Sequence, residues 1–165
     1  MEQNIRYVKS YIMSNTTFLV SPIVVGNKIH TIIFDKQGKV RLAQKPLRTI
    51  RSSCKSHGTT LTAANARAKL FFGHEKHKLP ILLTMEFGNP CIFFPLFSPQ
   101  SEINSWINLQ SVINIIQCDN QTTVTFKDQS EITLPIHYKS FNLQYVRAAM
   151  YAKHLMNIRS FPNEI

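Results

Sequence analysis

Runs of apolar residues near the start of the chain, separated by polar turn residues, predict β-strands. β-branched and aromatic residues fill Thr17 to Val25 and Lys28 to Phe34, on either side of the turn-forming pair Gly26-Asn27. A third short run, Lys39 to Leu42, follows Gly38. Because strands joined by such short turns pair with their neighbours, this segment is expected to form an antiparallel meander.

The period of the apolar residues changes at Lys45-Pro46, where a helix is predicted. Proline suits a first helical turn because the N–H group that it lacks would have no partner there. The apolar residues that follow at helical spacing are Leu47, Ile50 and Cys54. The basic residues on the neighbouring stripe are Arg48, Arg51 and Lys55. One face of this helix should therefore be buried, and the adjacent face should be positively charged.

A second basic helix is predicted directly after the first. Gly58 is a typical stop, and either Thr59 or Thr62 is expected to cap an Ala-rich helix that runs to Leu70. This helix displays Arg67 and Lys69. The two helices together carry most of the basic residues of this part of the chain.

The second half of the chain predicts more strands and a final helix. Strand-like runs from Lys78 to Phe97 are interrupted by three prolines, and a turn follows at Ser98 to Ser101. A second meander is predicted from Trp106 to Leu109, Val112 to Cys118, Thr122 to Phe126 and Glu131 to Pro135. A helix is predicted from about Ser140 to Ile158. Its apolar face comprises Phe141, Tyr145, Ala148, Ala149, Ala152, Leu155 and Met156.

These elements predict an α+β fold. It consists of short antiparallel β-meanders, with two basic helices in the N-terminal half and an amphipathic helix at the C-terminal end. The turn at 98–101 separates residues 1–97, which hold the first meander and the helical pair, from residues 98–165, which hold the second meander and the last helix. At 165 residues the two parts are expected to form one compact unit.

Composition narrows the classes of protein to consider. Hydrophobic residues make up 44% of the chain and charged residues 17%, so a folded core is expected. Three cysteines are too few, and odd in number, for a disulfide framework, which favours reduced thiols in the cytoplasm. The N-terminus lacks the pattern of a signal peptide, and the apolar runs are far shorter than the roughly 20 residues that span a bilayer. A soluble cytoplasmic protein without a membrane partner is expected.

The positive charge is concentrated in one segment. Nineteen Lys and Arg against nine Asp and Glu give a formal net charge of +10. Residues 36–78 hold eleven of the basic residues and one acid, Glu75, so this segment alone has a net charge of +10. Such a local excess favours nucleic acid as the partner, with residues 1–97 making the contact and residues 98–165 serving packing. The candidate contact residues are Lys39, Arg41, Lys45, Arg48, Arg51, Lys55, Arg67, Lys69, Lys76 and Lys78.

The same segment gives little support for a metal site or a catalytic site. Cys54-x-x-His57 and His74-x-x-His77 supply four zinc-ligand types, but the two-Cys pattern of common structural zinc sites is absent, so no metal is assigned. Cys54 and His57 with Asp35 would complete a Cys-His-acid set, yet no local signature accompanies it. No Gly-rich phosphate loop or carboxylate pair is present either. The sequence therefore predicts neither an enzyme nor a cofactor.

Several short motifs occur in a fixed order along the chain. They are Lys45-Pro46-Leu47 with Ser53-Cys54, Gly58-Thr59-Thr60, His77-Lys78-Leu79-Pro80-Ile81, Ile92-Phe93-Phe94-Pro95, Trp106-Ile107, and Thr123-Val124-Thr125-Phe126 leading to Leu134-Pro135-Ile136 with Ser140-Phe141. This set resembles the ComK competence transcription factor family from about Lys45 to Leu155, about two-thirds of the chain. The sequence departs from the family in being Ala-rich at 62–67, where the family tends to carry a Gly-Arg pair. It also ends at Ile165, before the longer C-terminal tail of better-known members, so the resemblance is to a short member of the family.

The resemblance implies a bacterial activator of competence genes, that is, genes for DNA uptake. It implies a protein of the cytoplasm and nucleoid that reads paired A/T-rich boxes of double-stranded DNA, mainly through the minor groove and the phosphate backbone, as a dimer or tetramer. RNA polymerase and a proteolytic adaptor are implied as further partners. The basic helices suit this role, because an Arg side chain is attracted into the narrow minor groove of A/T-rich DNA. The alternative is a basic RNA-binding or RNA-processing protein.

Overall fold

The computed structural model describes residues 5–99 and 101–160 and places ten strands and three α-helices in them. The strands are β1 (Ile5–Tyr7), β2 (Thr17–Val25), β3 (Lys28–Asp35), β4 (Gly38–Leu42), β5 (Ile81–Glu86), β6 (Asn89–Pro95), β7 (Trp106–Asn108), β8 (Val112–Cys118), β9 (Gln121–Phe126) and β10 (Glu131–Leu134). The α-helices are α1 (Pro46–Ser56), α2 (Leu61–Phe72) and α3 (Tyr138–Ser160). The predicted α+β class is confirmed, with two successive helices in the first half and one at the end.

Two sheets organise the fold. The larger has seven strands in the order β1-β4-β3-β2-β7-β6-β5, and the smaller has three in the order β10-β9-β8. The predicted first meander is present, since β2, β3 and β4 pair antiparallel in sequence, and Val25 lies opposite Lys28 across the two-residue turn. Strand β1, which the apolar pattern did not reveal, adds to the edge of this sheet parallel to β4.

The prediction that Trp106 to Leu109 belongs to the second meander is wrong. β7 lies in the larger sheet, where it pairs antiparallel with both β2 and β6. Its residues are buried on both faces of the sheet, which is typical of a central strand. A short 3-10 helix, Leu109–Ser111, then turns the chain away into the smaller sheet of β8, β9 and β10. Strands from both sides of the turn at 98–101 therefore share the seven-stranded sheet.

The larger sheet separates two hydrophobic clusters, because successive side chains of a strand point to opposite faces. On β6, Cys91 and Phe93 pack into the cluster that also holds Ile50 of α1 and Ala64 of α2. Ile92 and Phe94 pack into the other cluster, together with buried side chains of β9 and α3. Helix α1 and the start of α2 thus cover one face of the sheet, and β8–β10 with α3 cover the other, where Ala68 in the second half of α2 also packs.

The start of α2 differs from the sequence prediction. Its N-cap is Thr60, whose backbone is extended and whose hydroxyl accepts a hydrogen bond of 3.0 Å from the Ala63 N–H. Thr59 instead donates its backbone N–H to the carbonyl of Cys54 at the end of α1, and Thr62 already lies inside the first turn. The N-cap is therefore Thr60, which lies between the two predicted residues.

The C-terminal helix has the predicted location and most of the predicted apolar face. Phe141, Ala148 and Leu155 are buried, while Met156, placed on the same face by its spacing, is 43% exposed. The structure adds Tyr151 to the buried face. Among the described residues, no helix combines the length and the apolar character that a membrane crossing requires.

Candidate nucleic-acid interface

A groove between α1, α2 and the loop 73–80 brings four of the candidate basic residues together. Arg51 of α1, Lys69 of α2, and Lys76 and Lys78 of the loop line it. Its volume is about 500 Å³, and none of the described residues that line it is acidic. The rest of its lining is Leu47, Leu61, Thr62, Asn65, His77, Leu79, Ser98 and Pro99. We call this feature the basic groove.

Helix α1 presents its charge because its other face is fixed in the core. Ile50 and Cys54 are fully buried beneath the helix. The exposed basic side chains are Arg48, Arg51 and Lys55. Since residues three and four apart share a face of a helix, these three cations form one stripe that extends from the basic groove along α1. The predicted division of α1 is therefore confirmed for Ile50 and Cys54 on the apolar face and for the three cations, whereas Leu47, predicted on the apolar face, is half-buried and lines the basic groove.

Helix α2 directs its two cations to different places. Ala64 and Ala68 are buried, and Lys69 lines the basic groove. Arg67 lies instead on the side of α2 that faces α3, close to Tyr151. Burial raises the pKa of the Tyr151 hydroxyl, and the positive charge of Arg67 lowers it in part. Arg67 is thus not brought into the basic groove.

The loop 73–80 is held at both ends and from the side. Gly73 ends α2 with a φ of 107°, a value that glycine adopts readily, and Leu79 is buried at the other end. The guanidinium of Arg147 on α3 donates a hydrogen bond of 3.4 Å to the carbonyl of His77. These contacts hold Lys76 and Lys78 at the rim of the basic groove, with Lys78 at a positive φ of 57°.

Three of the candidate residues contact other parts of the protein. The ammonium of Lys39 lies 4.7 Å from the centre of the Phe34 ring, and Arg41 lies over the ring of Tyr7 on β1. Both belong to β4, next to the edge of the sheet opposite β5. Lys45 forms an ion pair of 2.5 Å with Glu102, in which both side chains are more than half exposed. The structure does not bring these three residues into the basic groove.

The cations of the basic groove are available for a polyanion. Among the side chains described, those of residues 5–99 and 101–158, Lys45–Glu102 is the one ion pair, so none of their carboxylates neutralises Arg51, Lys69, Lys76 or Lys78 at ion-pair distance. Lys and Arg side chains in a groove bind phosphate groups through charge-assisted hydrogen bonds. The arrangement therefore suits the backbone of a nucleic acid.

Several polar residues of the groove were not found from charge alone. Thr62, Asn65, His77 and Ser98 line it and supply uncharged hydrogen-bonding groups beside the cations. The spacing of Asn65 and Lys69, four residues apart on a helix, is the signal that could have identified Asn65. For Ser98 the sequence holds no such signal, because it lies between β6 and β7, far along the chain from α1 and α2.

The structure does not assemble the zinc or Cys-His-acid sets. Cys54 is part of the hydrophobic core, and burial raises the pKa of its thiol to about 11. The Nε2 atom of His57 lies 2.7 Å from the carbonyl oxygen of Met13, whereas His74 and His77 are exposed on the loop. Over the described ranges, no group of three or more His, Cys, Asp or Glu side chains is placed to share a metal ion.

Comparison with known proteins gives two matches. A family profile described as ComK protein matches residues 8–159. The competence transcription factor of Bacillus subtilis (strain 168) is 28% identical over 143 residues, which cover 86% of this chain and 73% of that protein. No solved structure matches the chain. Since the family profile spans nearly the whole sequence, including both basic helices and α3, the chain belongs to the ComK family.

Proposed function

We propose that this chain is a DNA-binding transcription factor whose basic groove holds the phosphate backbone of double-stranded DNA. The observation that carries the proposal is the meeting of Arg51, Lys69, Lys76 and Lys78 in a groove without an acidic lining residue. Arg48 and Lys55 extend the same surface along α1. Phosphate contacts of this kind provide affinity and position the protein on the duplex.

The genes under control are those for competence, that is, DNA uptake, and the chain activates them. Membership of the ComK family and the similarity to a competence transcription factor support this part of the proposal. Activation requires contact with RNA polymerase, which is therefore the second macromolecular partner.

Selectivity comes from paired A/T-rich boxes. Such DNA has a narrow minor groove with an enhanced negative potential, and arginine is the side chain that enters it most favourably. Arg48, exposed on α1 beside the basic groove, is assigned this role, while Arg51 is assigned to phosphate. Each box offers the same DNA surface, and one copy of the chain binds one box. Two boxes are therefore read by at least two copies of the chain.

Fluorescence anisotropy with three nucleic acids of equal length tests the proposal. The probes are a duplex with two A/T-rich boxes, the same duplex with G/C-substituted boxes, and an RNA duplex. Tight binding to the A/T duplex with weak binding to the other two is expected. Equal binding to both DNA duplexes would mean that the basic groove binds polyanions without regard to sequence. Preference for the RNA duplex would mean that the chain is an RNA-binding protein.

A paired variant tests the assigned surface. In Arg51→Ala/Lys69→Ala, two charge-assisted contacts are lost at about 1.5 kcal/mol each, so affinity for the A/T duplex should fall roughly a hundredfold. The matched control is Lys28→Ala/Lys127→Ala, which removes two exposed cations outside the groove. Circular dichroism and thermal unfolding establish that both variants are folded. Equal affinity of the two variants would contradict the assignment.

A further inference from the structure

Strand β8 is an open edge of the smaller sheet. It spans Val112–Cys118, its partner in the sheet is β9, and five of its seven residues are exposed. At about 3.4 Å per residue the edge is roughly 24 Å long. A bulge at Ile113, where the register with β9 shifts between Val112 and Asn114, interrupts only the start of this edge. The regular part, residues 114–118, carries no charged residue and no proline, although both are common on the edges of natural sheets, where they prevent pairing with another chain.

The other sheet edges in the described ranges are protected. Strand β1 is three residues long and contains Arg6. Strand β10 is four residues long, begins with Glu131 and is followed by Pro135. Strand β5 is buried over its first three residues and contacts α2. The contrast singles out β8 as the edge able to accept a further strand.

Apolar surface surrounds the open edge. Ile113 and Ile116 are 50% and 49% exposed, although both lie on a strand. At the start of β8, a groove of about 440 Å³ runs between the strand and α3, with Leu109, Val112 and Tyr145 in its lining and the cation Lys153 beside them. A strand pair alone buries less than the roughly 800 Å² per partner of a standard interface, and this adjoining groove enlarges the surface available.

The charge distribution favours a second copy of the chain as the occupant. Two chains with a net charge of +10 repel each other most strongly through residues 36–78. Residues 101–134, which contain the whole smaller sheet, hold four acids (Glu102, Asp119, Asp128, Glu131) and one base (Lys127), a net charge of −3. Contact through β8 therefore brings together the parts of two copies that repel least.

We infer that two copies of the chain associate through β8, whose strands pair antiparallel across a two-fold axis to join the two three-stranded sheets. An edge strand is complementary to itself in this arrangement, because a two-fold axis sets the N–H groups of one strand opposite C=O groups of its copy, so the hydrogen bonds form in symmetric pairs. The charge and edge arguments do not depend on DNA binding. The need for two copies on paired boxes rests on the proposed function, and this interface would supply it.

Sedimentation velocity without DNA, at micromolar protein, tests the inference. The wild-type chain should sediment with twice the 19.0 kDa mass of one chain. The test variants are Ile116→Lys and Ile113→Lys. Because the interface is two-fold symmetric, each variant places two lysines in it, one from each copy, and their charges repel. The dimer dissociation constant should therefore rise at least about tenfold. Val24→Lys is the matched control. It replaces a β-branched residue that is 70% exposed on β2 and adds the same charge, so its dimer should persist.

Each outcome decides the inference. A mass that halves in both β8 variants and not in Val24→Lys supports it, provided that thermal unfolding finds all three variants folded. A monomeric wild-type chain, or a dimer that survives both β8 substitutions, overturns it. Fluorescence anisotropy with a duplex that carries a single A/T-rich box distinguishes a failure of the dimer inference from a failure of the proposed DNA binding. Monomeric β8 variants should bind that duplex as the wild type does, whereas a failure of the proposed function would appear as no binding by any of the proteins.

Discussion

Phe87 occupies an unfavourable backbone conformation without burying its ring. It forms the hairpin turn between β5 and β6 with Gly88, both residues have positive φ, and the Phe87 side chain is fully exposed. Two-residue hairpin turns of this type favour Asn followed by Gly, because bulky L-residues are strained at positive φ.

Replacing Phe87 with asparagine should therefore stabilise the protein by about 1 kcal/mol. The gain is measured as a higher urea midpoint at an unchanged m-value. Phe87→Ala removes the ring, but alanine is also unfavourable at positive φ. The free energy of unfolding should therefore rise less in Phe87→Ala than in Phe87→Asn. Loss of stability in both variants would mean that the ring makes a contact worth more than the strain.

The three thiols differ in environment and should differ in reactivity. Burial raises the pKa of Cys54 to about 11 and that of Cys91 to about 12, whereas Cys118 is exposed at the end of β8. Because the thiolate is the reactive form, a disulfide reagent near neutral pH should modify one thiol per folded chain quickly in protein dilute enough to be monomeric, and all three in denaturant. Cys118→Ser should remove the fast reaction. A fast reaction that persists in this variant would place a second thiol within reach of solvent.

The cap of α2 is the clearest test at the level of an element. Thr60→Ala removes the hydrogen bond to the Ala63 N–H and should cost about 1 kcal/mol of unfolding free energy. Thr62→Ala, two residues further on in the first turn, removes the same atoms without removing a cap and should change stability by less than about 0.5 kcal/mol. Urea unfolding of the two variants measures the difference. A larger loss of unfolding free energy in Thr62→Ala than in Thr60→Ala would indicate that Thr62, and not Thr60, caps the helix.

Elements set by local chemistry could be predicted from the sequence. The turn at Gly26-Asn27 gives β2 and β3, and Pro46 marks the start of α1, because each depends on the backbone preferences of a few neighbouring residues. β1 and β7 depend instead on distant partners. Each has three residues, β1 is a strand through its pairing with β4, and β7 takes its place through pairing with β2 and β6. A period of two over three residues holds no information about those partners.

At the scale of the whole molecule, the sequence located the charge but not its arrangement. Counting Lys and Arg identifies residues 36–78, and helical spacing groups Arg48, Arg51 and Lys55. The meeting of Arg51 with Lys69 and Lys78 follows from how α1, α2 and the loop 73–80 pack together. The same packing leaves Lys39 over Phe34, so neighbouring charges in the sequence lie on different surfaces.

The dependence of DNA binding on salt measures which of these cations contact phosphate. About six neutralised phosphates give a slope of log K against log salt near −5, and each lost contact should reduce its magnitude by about 1. Arg51→Ala and Lys69→Ala should each show this reduction, whereas Lys39→Ala should leave the slope unchanged because Lys39 lies outside the basic groove. Anisotropy titrations across a salt series provide the slopes, and Lys28→Ala controls for the general loss of one charge. A reduced slope in Lys39→Ala, equal to that in Lys69→Ala, would extend the contact surface onto β4 and require the DNA to cross from the basic groove to the opposite edge of the sheet.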